Sequence, residues 1–201
     1  MWTSLIALVV FGIAFMVVAF KTSDIETPAY TVLHRINEVE IRQYPNMVVA
    51  KTALTSSSFE EAGSQGFRSI ANYIFGGNEQ NQKIAMTAPV VMNMGDSASM
   101  YFVMPSAYKK DALPKPAASN VRIEEEGSKT LAVLRYGGFS SDEKIKSHCD
   151  RLGKTLTEQG IQTKGSYMYM GYNAPWDVVN RRNEVAIEVE LNSLVNFSIG
   201  Q

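Results

Sequence analysis

Two Ser-x-x-Glu tetrapeptides constrain this 201-residue chain more than any other feature: Ser58-Phe59-Glu60-Glu61 and Ser140-Ser141-Asp142-Glu143. In such a capping box the serine oxygen accepts from the glutamate amide and the glutamate carboxylate returns to the serine amide, which opens a helix. Apolar side chains follow the first box at Phe59, Ala62, Phe67, Ile70, Ala71 and Ile74, a helical face that Gly76-Gly77 ends. Ile145, Cys149, Leu152 and Leu156 follow the second box, and Gly160 ends that face. Each helix is framed by segments with the period of two that half-buried strands show. Residues 39–44, 47–54, 84–92 and 100–104 read as strands around the first helix. Residues 131–136, 166–172 and 184–191 read as strands around the second.

The chain therefore reads as one β-α-β-β unit used twice. An Ala-Pro also follows each helix, in Thr87-Ala88-Pro89-Val90 and in Asn173-Ala174-Pro175-Trp176, and is expected to mark an equivalent strand bend in both halves. Two such units predict an α+β fold, with two helices related by a pseudo-twofold axis against a largely antiparallel sheet that curls toward a barrel. Clefts between such halves are common ligand sites.

Residues 1–20 stand apart, because they carry no charged side chain and are followed by Lys21. Twenty helical residues span roughly 30 Å, the thickness of a bilayer's hydrocarbon. A cleaved secretory signal would want a basic start and small residues before the cut. Ala19-Phe20-Lys21 does not supply the latter. The segment is thus expected to be a single-pass membrane anchor or uncleaved signal, with residues 21–28 as a tether, 29–195 as the domain and 196–201 as a tail. The only nearby positive groups are the amino terminus and Lys21, so charge assigns neither side of the membrane to the domain. The formal net charge of −1 gives no reason to expect nucleic acid as a partner. A single cysteine, Cys149, excludes an internal disulfide.

Catalytic constellations are scarce. His148 and Cys149 are neighbours in sequence, but adjacent helical side chains point about 100° apart, so the pair reads as a core thiol beside a half-exposed imidazole. Glu124-Glu125-Glu126 reads as a solvated strand end. Arg181-Arg182 opens an apolar strand, either as a solvated start or as two guanidiniums for an anion. The Met92/Met94 and Met168/Met170 pairs set thioethers on one side of a strand, a geometry that suits either a soft ion such as Cu(I) or, as the favoured reading, adaptable packing. Tyr44, Phe75, Tyr101, Phe102, Tyr167, Tyr169, Tyr172 and Trp176 supply rings that would suit a large flat apolar ligand.

Five stretches in order resemble the SOUL haem-binding family. They are Val39-Glu40-Ile41-Arg42-Gln43-Tyr44-Pro45, Lys83-Ile84-Ala85-Met86-Thr87-Ala88-Pro89-Val90, Arg135-Tyr136-Gly137-Gly138-Phe139-Ser140, Gly171-Tyr172-Asn173-Ala174-Pro175-Trp176 and Arg181-Arg182-Asn183-Glu184-Val185. The resemblance implies a distorted eight-stranded antiparallel barrel flanked by two helices. It also implies reversible haem or porphyrin binding in an apolar cleft beside the first helix, by a carrier, buffer or sensor and not an enzyme. Some members carry a haem-ligating His where this chain has Gln43, so binding here is expected to rest on apolar contact and carboxylate pairing. The residues expected to provide it are Arg68, Ala71, Phe75, Lys83, Met86 and Trp176. Two rival readings are an accessory or scaffold subunit of a membrane complex, with membrane-protein partners, and a tetrapyrrole-modifying enzyme with haem-degrading activity.

Overall fold

The computed structural model describes residues 25–55, 59–95, 97–174, 177–190 and 192. The expected anchor, Ser58, Trp176 and the tail lie outside those residues. Among the described residues no helix is long and apolar enough to cross a membrane. The elements in order are β1 (Thr31–Ile36), β2 (Val39–Tyr44), β3 (Met47–Ala53), α1 (Phe59–Ile74), β4 (Val90–Asn93), β5 (Ser99–Val103), β6 (Val121–Glu126), β7 (Lys129–Tyr136), α2 (Asp142–Glu158), β8 (Thr163–Gly171) and β9 (Asn183–Val189).

The strands form one antiparallel sheet in the order β1-β2-β7-β9-β8-β4-β5-β3-β6. This corrects the expected closed eight-stranded barrel: the described sheet has nine strands and stays open between β1 and β6. Two of the nine, β1 and β6, lie outside the strand ranges read from the sequence, and β1 hairpins onto β2 through Asn37 in the left-handed region at φ 53°. Both edges are blunted. β1 leaves Thr31, Leu33 and Arg35 exposed, and β6 carries Arg122 and Glu124–Glu126, three of which pair with cations or each other. Charged edges of this kind resist further strand pairing.

The sheet has two apolar faces, as alternation along its strands requires. On one, Val39, Ile41, Phe102, Val185 and Ile187 join the buried faces of α1 and α2 in the larger core. On the other, Tyr44, Val49, Val91, Tyr101, Leu131, Met168, Met170 and Ala186 form a second cluster. That cluster unites side chains from both ends of the strand order, so the sheet curls around it without closing. Its interior is filled: the cavity beside Tyr44, Tyr101 and Met170 measures about 20 Å³, roughly room for one water. The methionines accordingly serve packing, with Met92, Met100 and Met104 in the larger core and Met168 and Met170 in the inner one.

α1 packs on β3, β5 and β6, and α2 on β7, β8 and β9. The approach of α1 is close enough to require a glycine. A Cβ at Gly66 would lie 2.6 Å from Leu54 Cδ2 and 3.2 Å from Met100. The helix amino termini meet, because the Phe59 amide donates to Asp142 Oδ1 at 2.9 Å. A carboxylate there complements the positive end of each helix.

Three local expectations change. Residues 84–92 were expected as one strand, yet only Val90–Asn93 pairs. The segment before it sends its backbone groups elsewhere: Ile84 N to Ile74 O and Ala88 N to Glu26 O, while Thr87 Oγ1 donates to Val103 O. The two Ala-Pro steps are therefore not equivalent, since Ala88-Pro89 precedes β4 whereas Ala174 follows β8. Finally, Ser141 rather than Ser140 caps α2, accepting from Lys144 N, because Ser140 Oγ pairs with the Tyr136 hydroxyl at 3.0 Å.

Candidate functional site

Arg68, Ala71 and Phe75 lie along the second half of α1 and the turn that ends it, and the chain returns to that end at Ile84, next to Lys83. Ile70, Tyr73 and Ile74 are buried and fix the helix on the sheet, and Phe67 lies 5.4 Å from Phe102, centroid to centroid. The helix ends at Gly76, whose φ of 113° is left-handed. Beyond it, buried Asn78 holds the return of the chain. Its amide nitrogen donates to Tyr73 O and Gln82 O, and its oxygen accepts from Gln80 N and Gln82 N. An amide offers two donors and an acceptor oxygen, so this side chain is fully used. Gln82 in turn donates to the Tyr108 hydroxyl, and Tyr73 donates to Pro114 O. Asn78 did not stand out within its polar run, which holds three further amides, Gln80, Asn81 and Gln82.

On this rigid frame, Arg68, Ala71 and Phe75 share one stripe of α1 at helical spacing. Ala71 is buried, Arg68 is exposed with Nε donating to Ser64 O, and Phe75 is 60% exposed. Lys83, also exposed, precedes Ile84, whose amide closes onto the last carbonyl of the helix. Met86 is half-buried against the larger core. Phe75 is thus an exposed ring on a fixed turn, seven residues after Arg68 on the helical spacing. Trp176 lies outside the described residues and takes no part in this description.

The guanidiniums at 181 and 182 do something other than await an external anion. Glu184 is 0% exposed and takes Arg42 in a bidentate pair at 2.9 and 3.1 Å, Arg182 at 2.9 Å and the Tyr172 hydroxyl at 2.8 Å. Arg182 also lies 3.8 Å over the Tyr172 ring, and Arg42 4.4 Å over that of Tyr30. Burial alone would raise the Glu184 carboxyl, but Arg42 and Arg182 outweigh it and hold the group below the ordinary carboxylate range. The anion of this motif is thus the chain's own carboxylate. Arg181 instead donates to Ala174 O and Asp177 O and lies 4.7 Å over Phe139.

His148 and Cys149 diverge, as helix geometry requires. The imidazole stacks on Tyr136 at 4.0 Å and its Nδ1 donates to Lys144 O. The thiol is buried in the larger core, which pushes its pKa up to about 11. It also borders a groove of about 420 Å³ between α2 and β8, beside Tyr167 and Ser166. Gln43 is committed within the sheet, donating to Ser128 Oγ and accepting from Thr130 Oγ1, both at 2.6 Å. It stands on β2, while α1 packs over β3, β5 and β6. His34 is on edge strand β1, opposite Ile41.

Comparison with known proteins agrees with this architecture. The family described as SOUL heme-binding protein matches residues 25–188. Heme-binding protein 2 of Homo sapiens is 33% identical over 155 residues, covering 73% of this chain and 75% of that protein. Heme-binding protein 1 of Xenopus laevis is 28% identical over 154 residues, covering 73% and 80% respectively. Among solved structures, the EcmrR C-terminal domain superposes with a TM-score of 0.59 at 11% identity, covering 80% of this chain and 98% of that one. A hydrolase from Listeria innocua does so with a TM-score of 0.53 at 10% identity, covering 79% and 94%. At those identities the likeness is one of fold alone.

Proposed function

The chain belongs to the SOUL haem-binding family, and from that membership we propose that it binds haem or a related porphyrin reversibly at the carboxyl end of α1, as a carrier, buffer or sensor. The observation that carries this reading is Phe75, a large ring left 60% exposed on a turn that Asn78 holds rigid. An exposed ring held on a fixed turn offers a flat apolar surface on which a macrocycle can lie. Phe75 and Met86 would take the macrocycle, and Arg68 and Lys83 the propionate carboxylates. The bound iron would supply redox and ligand chemistry, but this chain's residues act through apolar contact and charge. Gln43 is engaged with Ser128 and Thr130, and His34 lies on an edge strand far from α1 in the strand order. The filled inner face of the sheet, with its cavity of about 20 Å³, supports a surface platform over an internal pocket.

Residues 1–20 would tether this domain to a membrane, so that custody of the ligand is exercised close to a bilayer. The recurrence of strand, helix and two strands around α1 and around α2 supports an origin of the domain in a duplicated unit. A test of the site is the Phe75→Ala substitution, titrated with ferric haem by absorbance. Loss of one apolar ring contact should weaken binding roughly tenfold, about 1.4 kcal/mol. Unchanged affinity would remove Phe75 from the site.

A further inference from the structure

The end of the sheet at which the described chain begins also presents a second exposed apolar group. The ladder Val90, Gly171, Asn183 and Tyr136 runs across β4, β8, β9 and β7 at one end of the sheet. From that end project the turn after β7 and the loop between β8 and β9. The turn carries Phe139, 60% exposed, and the loop carries Val178 and Val179, 70% and 71% exposed. Their backbone is well fixed. Arg181 cinches the loop by donating to Ala174 O and Asp177 O, and its guanidinium stacks on Phe139. Lys144 holds the turn by donating to Gly137 O and Phe139 O. Three apolar side chains are thus held outward, with the Lys144 ammonium beside their turn.

The same end receives the beginning of the described chain. Glu26 bridges Thr87, its carbonyl accepts from Ala88 N, and its carboxylate accepts from Ser106 N. Ala88 directly precedes the ladder strand β4. Four residues separate Ile25 from Phe20, where the uncharged stretch of residues 1–20 ends. The five Cα steps from Phe20 to Ile25 span at most about 18 Å even when fully extended. A bilayer holding residues 1–20 would therefore lie close to this end of the domain.

The geometry points to a lipid-docking surface: Phe139, Val178 and Val179 dip into the headgroup boundary of the bilayer that holds the anchor, with Lys144 at the phosphate level. Apolar tips beside a cation match the chemistry of that boundary, where rings and alkyl groups enter the acyl edge and an ammonium meets phosphate. Docking there would fix the orientation of the domain instead of leaving it to swing on its tether. The inference rests on residues 1–20 being a membrane anchor.

The test uses the full chain, reconstituted in phosphatidylcholine–phosphatidylglycerol vesicles. Nitroxide labels are placed at Val178→Cys, at Phe139→Cys and, at the far end of β8 from Gly171, at Thr163→Cys, each with Cys149→Ser. Thr163 is a suitable reference because its side chain is exposed. The expected result is an oxygen-to-nickel-chelate collision ratio several-fold higher at 178 and 139 than at 163, since oxygen concentrates in lipid and the chelate in water. Equal ratios at all three sites, with the chain retained in the vesicles after an alkaline carbonate wash, would overturn the docking surface and leave the anchor standing. Release of the chain by that wash would overturn both. Low collision with both reagents at 178 and 139 would also overturn it, by showing that another protein surface covers the patch.

Discussion

Glu184→Ala should lower the stability of the domain by about 3–5 kcal/mol, the typical effect of removing one partner from a buried ion pair. The reason is positional. Glu184 is 0% exposed and Arg42 3% exposed, so the substitution removes the bidentate acceptor of a buried guanidinium and leaves it the Glu40 carboxylate, on Nε at 2.8 Å. It also takes the acceptor from the Tyr172 hydroxyl and one partner from Arg182. Equilibrium urea unfolding measures the effect as a lower midpoint at constant slope. Substituting both partners, as Arg42→Met with Glu184→Leu, should recover much of the loss, because apolar replacement of the whole pair avoids the unpaired charge. A pH dependence follows from the same pair. The folded-state pKa of Glu184 is depressed, so its contribution is present above the ordinary carboxylate value and is lost as the pH falls through the depressed one. Wild-type stability should therefore decline below about pH 4.5, and Glu184→Ala should show a shallower decline over that acid range.

Phe102→Ala should cost a comparable 3–5 kcal/mol, by lost transfer energy and by the cavity left behind. Phe102 is 1% exposed on the face of β5 that carries α1, against Phe67. Its consequence for function should differ from that of Glu184→Ala. The seat of α1 lies on the larger core, whereas Glu184 belongs to the inner face of the curl. Loosening α1 should weaken tetrapyrrole binding under conditions where the domain remains folded. Glu184→Ala should leave binding unchanged under the same conditions. Haem titration of the two variants, each well below its own urea midpoint, compares them. Equal losses of affinity would contradict the placement of the site on α1.

How much of this was legible in the sequence can be judged element by element. Both helices were, because apolar spacing and glycine ends are local properties of the chain. The second cap was misplaced by one residue, because the Tyr136 hydroxyl competes for Ser140, a tertiary contact that spacing does not record. The strand over 84–92 was overextended for a similar reason: its apolar alternation is real, but its amides bond to the end of α1 and to Glu26. Closure of the sheet was expected and not found. Strand count and closure depend on what the edges meet, and here both edges are blunted by exposed or charged side chains. The guanidinium pair was noticed, yet its partner lay two residues away as Glu184. Only burial of that carboxylate reveals that the pair is internal. Arg68, Ala71, Phe75, Lys83 and Met86 all came with the family resemblance, and Asn78, which orders the whole turn, did not.

The most direct measurement of the central claim is a paired titration of the full chain in detergent micelles, with ferric haem and with metal-free protoporphyrin. Binding through Phe75, Met86, Arg68 and Lys83 needs no iron ligand, so both should saturate with dissociation constants within about a factor of ten, or 1.4 kcal/mol. Binding of ferric haem more than a hundredfold tighter, about 2.7 kcal/mol, or failure of either compound to saturate, would contradict the account.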